Sequence, residues 1–172
     1  MNFSIVVATD QNLGIGLKGD LPWRLKGDLA YFRDLTSKTQ NPSKKNAVIM
    51  GRTTWQSIPE KFRPLPNRLN IVLSKQLSKD ALKDVEIATS IQEALDIADK
   101  RNAENCFIIG GGKVYKEALE LPESKLIYIT EIKENFSCDT YFPDFKKQYK
   151  LQSISEVIKE NNLTYQFAVY HK

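Results

Sequence analysis

The sequence predicts an α/β fold with a largely parallel sheet, and three observations carry that prediction. Apolar runs of strand length recur from end to end, several nearly continuous, as strands covered on both faces are. Segments with a helical period lie between several of them, the alternation that builds a parallel sheet with crossover helices. From Lys125 onward strand follows strand with no helix between, so the C-terminal edge is expected to be antiparallel.

In chain order the strand-like runs are "FSIVVAT" (3–9), "NAVIMG" (46–51), "LNIVLS" (69–74), "VEIAT" (85–89), "NCFIIGG" (105–111), "KLIYITEI" (125–132) and "TYQFAVYH" (164–171). In "LPWRLKGDLAYFRDL" (21–35), Leu25, Leu29, Phe32 and Leu35 recur at spacings of three and four, which marks one apolar helical face after Pro22. "SIQEALDIADKRN" opens with Ser90 and Glu93 at the spacing of a capping box, and Ile91, Ala94, Leu95 and Ala98 form its stripe. "GKVYKEALEL" (112–121) gives another short helix. The polar "TSKTQNPSKKN" (36–46) reads as a surface loop, and "NFSCDTYFPDF" (135–145) as a turn.

At 172 residues the chain has the size of one domain, expected to span 1–172. With 41% hydrophobic and 27% charged residues it has the composition of a globular protein. No apolar run approaches the roughly 20 residues of a membrane span, and the start lacks a basic leader, so no membrane partner and no export are expected. Cys106 and Cys138 are far apart in sequence and form no metal-type pair, as in a cytosolic protein with reduced thiols. The net charge of +4 fits anionic ligands or a merely basic surface. No block of like charges points to nucleic acid.

Three stretches bear on chemistry. "FIIGGGKVY" (107–115) runs from a buried strand through three glycines into a helix, where bare backbone and helix-start amides suit a phosphate. It matches neither the dinucleotide fingerprint nor a P-loop, and a tight turn without a ligand would look similar. "MGRTTW" (50–55) offers a second such turn, with Arg52, Thr53 and Thr54; a threonine there also serves as a plain cap. Ser74 and Lys75 end a strand in "VLSK", suited to an isolated phosphate or to plain solvation. Asp28 poses a different problem: it lies three after Leu25 and four before Phe32, so it shares their apolar face. A carboxylate placed there needs a partner.

Taken in order, "NLGIG" with "GDLPW", "DLAYF", "VIMGRTTWQSIP", "RPLPNR", "NIVLS", "IIGGGKVY", "IYITEI" and "CDTYFPDF" resemble the dihydrofolate reductase family over nearly the whole chain. The longer "SIPEKFRPLPNR" looks more like its eukaryotic and protozoan branches, in which the reductase is often fused to thymidylate synthase. The resemblance implies a central, mostly parallel eight-stranded sheet with an antiparallel C-terminal edge and about four helices on both faces. It also implies an NADPH-dependent oxidoreductase, cytoplasmic and monomeric as an isolated domain. Such an enzyme reduces 7,8-dihydrofolate to tetrahydrofolate for one-carbon metabolism and thymidylate synthesis, and is a target of antifolate inhibitors.

On this sequence the resemblance implies that Asp28 accepts hydrogen bonds from the pterin 2-amino group and N3. It makes Thr130 the hydroxyl that steadies that pair, and Trp23 a residue that orders the site. Val6, Val7, Ala8, Leu29, Phe32, Ile58 and Leu65 would wall the pterin and benzoyl rings, and Arg68 would grip the glutamate α-carboxylate. For NADPH it implies Gly110, Gly111 and Gly112 as the cradle, with a cis Gly110–Gly111 peptide. Ile109 and Tyr115 would lie by the nicotinamide, with Ala8, Lys113 and Val114 nearby. Gly51, Arg52, Thr53 and Thr54 would hold phosphates, and Leu73, Ser74 and Lys75 would take the adenosine 2′-phosphate end. The loop "NLGIGLKGD" (12–20) matches a mobile lid, with Ile15, Gly16 and Leu21 as contacts.

The chain has aspartate at 28 where the eukaryotic branch often has glutamate, and Lys75 and Lys113 stand where members of the family vary. Two rival readings differ in what they require. The pyrimidine reductase of riboflavin biosynthesis, similar around the glycine turn, should lack the "LPW…D" carboxylate and the Arg68 anchor. A non-catalytic nucleotide- or nucleic-acid-binding domain has no use for an acid on an apolar helical face.

Overall fold

The computed structural model describes all of residues 1–172. Strand β1 (Phe3–Thr9) leads into a short β2 (Gly14–Gly16) and helix α1 (Lys26–Ser37). Strand β3 (Asn46–Gly51), helix α2 (Arg52–Ser57) and a 3-10 turn (Glu60–Phe62) follow, then β4 (Arg68–Leu73) and β5 (Glu86–Ala88). Helix α3 (Ile91–Lys100), β6 (Cys106–Ile108), α4 (Gly112–Glu120) and β7 (Ser124–Ile132) complete the alternating part. The tail holds β8 (Thr140–Tyr141), β9 (Lys150–Ile154), β10 (Ile158–Glu160) and β11 (Leu163–His171).

The main sheet runs in the order β10-β11-β7-β1-β6-β3-β4-β5. Every neighbouring pair from β7 to β5 is parallel, and β11 runs antiparallel to both β7 and β10. This is the eight-position sheet expected, with one addition: β9 and β10 share the outer edge of β11 end to end. The four helices cover both faces. Val6, Val48, Met50, Val72 and Phe107 form one core with Trp55 of α2 and the Phe32 and Leu35 side chains of α1. Ile5, Val7, Ile49, Ile71, Ile108 and Ile129 form the other with α3 and α4. Ile5, Ile49, Ile71 and Ile108 are fully buried, each contributing roughly 1.5–3 kcal/mol.

Local chemistry explains the helix ends. Ser90 Oγ accepts from the Glu93 amide at 3.1 Å, while the Glu93 carboxylate reaches back to the Thr89 amide at 2.6 Å, one residue earlier than a standard capping box. Helix α1 ends without glycine because the buried Asn46 side chain donates to the Thr36 and Lys38 carbonyls at 3.1 and 2.8 Å. The loop 38–45 is correspondingly shorter than the polar composition of 36–46 suggests. The pairing of β2 with β8 falls inside stretches read as loop and turn; it ties the 12–20 segment to the tail.

Candidate active site

Parallel strands β7, β1, β6, β3 and β4 bring their carboxyl ends to one edge, and the order turns back on itself where β6 inserts between β1 and β3. Ligands of open α/β sheets bind at such a switch point. Ala8 pairs in register with Thr130, and the α1 face of the sheet carries both. From that face the Thr130 hydroxyl donates to Asp28 Oδ1 at 2.6 Å across 102 positions of sequence. Burial raises the Asp28 pKa above its ordinary value; the Thr130 bond opposes this and the charge of Glu160 adds to it. No ion pair of the chain includes Asp28. Trp23 lies beside Phe136, 6% exposed, and its buried Nε1 has no hydrogen-bond partner.

Arg68 sits at the other end of α1. Only 8% exposed, it donates from Nε to the Pro66 carbonyl at 2.9 Å and from Nη1 to Thr36 Oγ1 at 2.8 Å, with its guanidinium over the Phe32 ring. It too makes no ion pair. Burial, and then the Arg33 charge, lower its pKa. Asp28 and Thr36 are eight residues apart on one helix, roughly 12 Å along its axis. Between these ends, Val6, Phe32, Ile58 and Leu65 pack into the core on that face. Leu29 is 49% exposed. Val7 belongs to the core on the opposite face, so its side chain points away from Asp28.

The two glycine turns lie side by side. Gly51, the last residue of β3, donates its amide to the Gly110 carbonyl at 2.8 Å, and Ile109 donates to Ile49 at 2.9 Å. The Gly110–Gly111 peptide is cis, and Gly110 has φ +131°, a conformation that side-chain-bearing residues rarely adopt. Neither Gly51 nor Gly111 caps the helix it precedes, so first-turn amides of α2 and α4 have no side-chain acceptor. A Cβ on Gly111 would stand 3.1 Å from Thr54 Oγ1, which places that hydroxyl at the turn. Val114 packs against Gly51, and Ile15 with Thr140 lies over Gly112. Tyr115 is buried, and its hydroxyl donates to the Val6 carbonyl at 2.7 Å.

The outer residues vary in how they are held. Ser74 is buried, and its Oγ accepts from the Gln76 and Leu77 amides, both at 3.1 Å. Leu73 is partly buried, Arg52 and Gly16 are half-buried, and Thr53, Lys75, Lys113 and Leu21 are exposed. The 12–20 segment is anchored by groups that sequence reading passed over. Asp10, 2% exposed, accepts from the Asn12 and Gly14 amides at 2.9 and 2.7 Å through Oδ1 and from the Phe136 amide at 3.1 Å through Oδ2. Asp139 accepts from the Lys18 amide at 2.9 Å and donates its own to Gly16 at 3.0 Å.

A half-buried acid and a buried guanidinium, each without a counter-ion, lie beside a bare glycine turn at a sheet switch point. Comparison with known proteins names the family. A family model described as dihydrofolate reductase matches residues 2–172. The chain belongs to the dihydrofolate reductase family. It is 46% identical over 180 residues to the dihydrofolate reductase of Aedes albopictus, covering 99% of this chain and 97% of that protein. With the dihydrofolate reductase of Drosophila melanogaster it shares 40% identity over 179 residues, covering 100% and 98%. It is also 43% identical over 175 residues to the bifunctional dihydrofolate reductase-thymidylate synthase of Daucus carota, covering 98% of this chain and 33% of that protein. The chain is therefore an oxidoreductase that reduces dihydrofolate, and its family uses a nicotinamide cofactor. No helix is long and apolar enough to cross a membrane.

Proposed function

We propose that the chain reduces 7,8-dihydrofolate with NADPH in the cytosol, working as a single domain and a monomer. When bound, the nicotinamide supplies a hydride for C6 of the pterin. The chain's own residues hold, shield and polarise. Asp28 accepts from the pterin 2-amino group and N3, and Thr130, already bonded to Asp28, takes the amino group from its other side. The carboxylate polarises the pterin so that N5 takes its proton from water ordered beside the unpartnered Nε1 of Trp23. Val6, Ala8, Leu29, Phe32, Ile58 and Leu65 exclude water from the rings. Arg68 binds the α-carboxylate of the glutamate, and inhibitors shaped like the pterin take its place opposite Asp28.

For the cofactor, Gly110, Gly111, Gly112, Lys113, Val114 and Tyr115 form the cradle with Ile109, and Gly51, Arg52, Thr53 and Thr54 hold the pyrophosphate. Leu73, Ser74 and Lys75 take the 2′-phosphate, while Ile15, Gly16 and Leu21 close over the nicotinamide side. The uncapped first turn of α4 beside bare glycine backbone fits an anionic dinucleotide.

The single observation that carries this reading is the pair of opposite charges at the two ends of α1, Asp28 half-buried and Arg68 buried, neither with a counter-ion in the chain. A ligand about one helix length long, hydrogen-bond donor at one end and carboxylate at the other, satisfies both. The test is the decay of NADPH absorbance with purified protein, with and without dihydrofolate. Rapid decay that requires dihydrofolate is expected. No decay by folded protein that binds NADPH would move the assignment to another reductase or to a binding module.

A further inference from the structure

Helix α1 begins without a cap of its own. Leu25 stands at the N-cap and offers no side-chain acceptor, so the first amides need an outside partner. It comes from the far end of the chain. One carboxylate oxygen of Glu160 accepts from the Lys26 amide at 2.6 Å and the other from the Gly27 amide at 3.0 Å. Glu160 ends β10, and Asn161 and Asn162, with φ of 51° and 61°, turn the chain into β11. That pair of left-handed residues makes the tight hairpin whose twist matches its strands. From its tip Asn161 Nδ2 donates to the Arg24 carbonyl at 3.2 Å. Tyr165, 1% exposed, donates its hydroxyl to Glu160 Oε1 at 3.1 Å. Gly27 lets these groups close on the helix, since a Cβ there would overlap the Tyr165 hydroxyl.

Asp28 is the next residue along. A helix start stabilises negative charge within its first turn, and Glu160 takes those amides while presenting a like charge to Asp28. Thr130 of β7, Tyr31 of α1, Glu160 of β10 and Tyr165 of β11 face the Asp28 carboxylate, with Tyr128 of β7 near Tyr31 and Lys26 beside Glu160. The Gly27 amide holds the Glu160 carboxyl below its ordinary pKa, so Glu160 stays charged near neutral pH. Nothing about Glu160 in the sequence predicts this, because the contact spans 133 and 134 positions.

We propose that Glu160 is a positioning residue for dihydrofolate reduction: reaching α1 from the β10–β11 hairpin, it fixes Asp28 against Thr130 and keeps a second negative charge beside it. The inference rests on the role given to Asp28 above. Glu160→Gln tests it, since the amide keeps the volume, loses the charge and retains one acceptor. NADPH affinity at the wild-type value is expected, and shows that the variant folds. Turnover of dihydrofolate should fall roughly tenfold, the scale of a small misplacement of a reacting group. The Asp28 carboxyl carbon, followed by NMR, should titrate at lower pH than in the parent, with the pH profile of turnover moving the same way.

Unchanged turnover overturns the proposal. So does reduced turnover with the Asp28 titration unmoved, which a purely structural cap would give. Should Glu160→Gln fail to bind NADPH, Tyr165→Phe decides, because it keeps the buried ring and removes the hydroxyl that orients Glu160. A several-fold loss of dihydrofolate turnover at unchanged NADPH affinity then supports the proposal, and wild-type turnover overturns it. Asp28→Asn measured in parallel separates the two readings. If that variant turns dihydrofolate over normally, the role of Asp28 fails and this inference with it; if it is inactive while Glu160→Gln is normal, this inference alone fails.

Discussion

The two halves of the site are built from different materials. In the proposed site the groups assigned to the pterin are side chains, Asp28, Thr130 and Arg68, placed by α1, β7 and β4, the two charged ones without a counter-ion in the chain. Those assigned to the dinucleotide are mostly backbone, two turns at Gly51 and Gly110–Gly112 that offer space and uncapped amides. A half made of side chains should fail when a functional group is changed at constant volume. A half made of backbone should fail when an atom is added.

The largest effect expected is for Asp28→Asn. It removes an acid with little volume change, and turnover should fall about a hundredfold to ten-thousandfold while NADPH binding stays. Steady-state rates and cofactor titration check this. The same substitution has a stability signature. Because the folded pKa of Asp28 is raised, the parent's contribution from this group is full below the unfolded pKa and is lost as pH rises through the folded value. The Asn variant should therefore match or exceed the parent's melting temperature at neutral pH, and lose that advantage as the pH is lowered. A variant less stable at pH 7 would place the carboxylate in a structural role.

Next comes Arg68→Leu, which removes one charge-assisted contact worth about 1.5–3 kcal/mol. The KM for dihydrofolate should rise roughly tenfold to a hundredfold. A dihydrofolate analogue lacking the glutamate carboxylates should bind parent and variant alike, which sharpens the assignment. Gly110→Ala should act on the other half. With φ +131° at that position, a side chain strains the turn by about 1–3 kcal/mol, so NADPH affinity should fall about tenfold and dihydrofolate affinity much less. The smallest effect belongs to Lys75→Ala. An exposed charge contributes about 0.2–1 kcal/mol, so NADPH should weaken by a few-fold, NADH not at all, and salt should erase the difference.

The same contrast explains what could be read without coordinates. The alternation of apolar runs with helical stripes held because six parallel neighbours are buried on both faces. It passed over β2, β8, β9 and β10 because β2, β8 and β10 are two or three residues long and every residue of β9 is exposed, so no buried face imposes a period. The Asp28 problem was visible because its apolar neighbours are three and four residues away. The glycine turn is visible because three consecutive glycines between an apolar run and a helical stripe mark backbone that needs open space. Thr130, Thr36 and Glu160 were invisible as partners, since each meets its counterpart from 32 to 134 positions away. Thr130 and Arg68 entered only through family resemblance. Asp10 left a faint trace as a lone acid closing an apolar strand, and its three amide partners become apparent only when residues 12–14 fold back beside Phe136.

The division of labour between the halves is tested most directly by equilibrium binding of dihydrofolate and NADPH, each alone, to Arg68→Leu and Gly110→Ala. Crossed losses are predicted: dihydrofolate weakened and NADPH unchanged on the first, NADPH weakened and dihydrofolate nearly unchanged on the second. Parallel losses of both ligands on both variants would mean that these residues support one common frame, and would contradict the account.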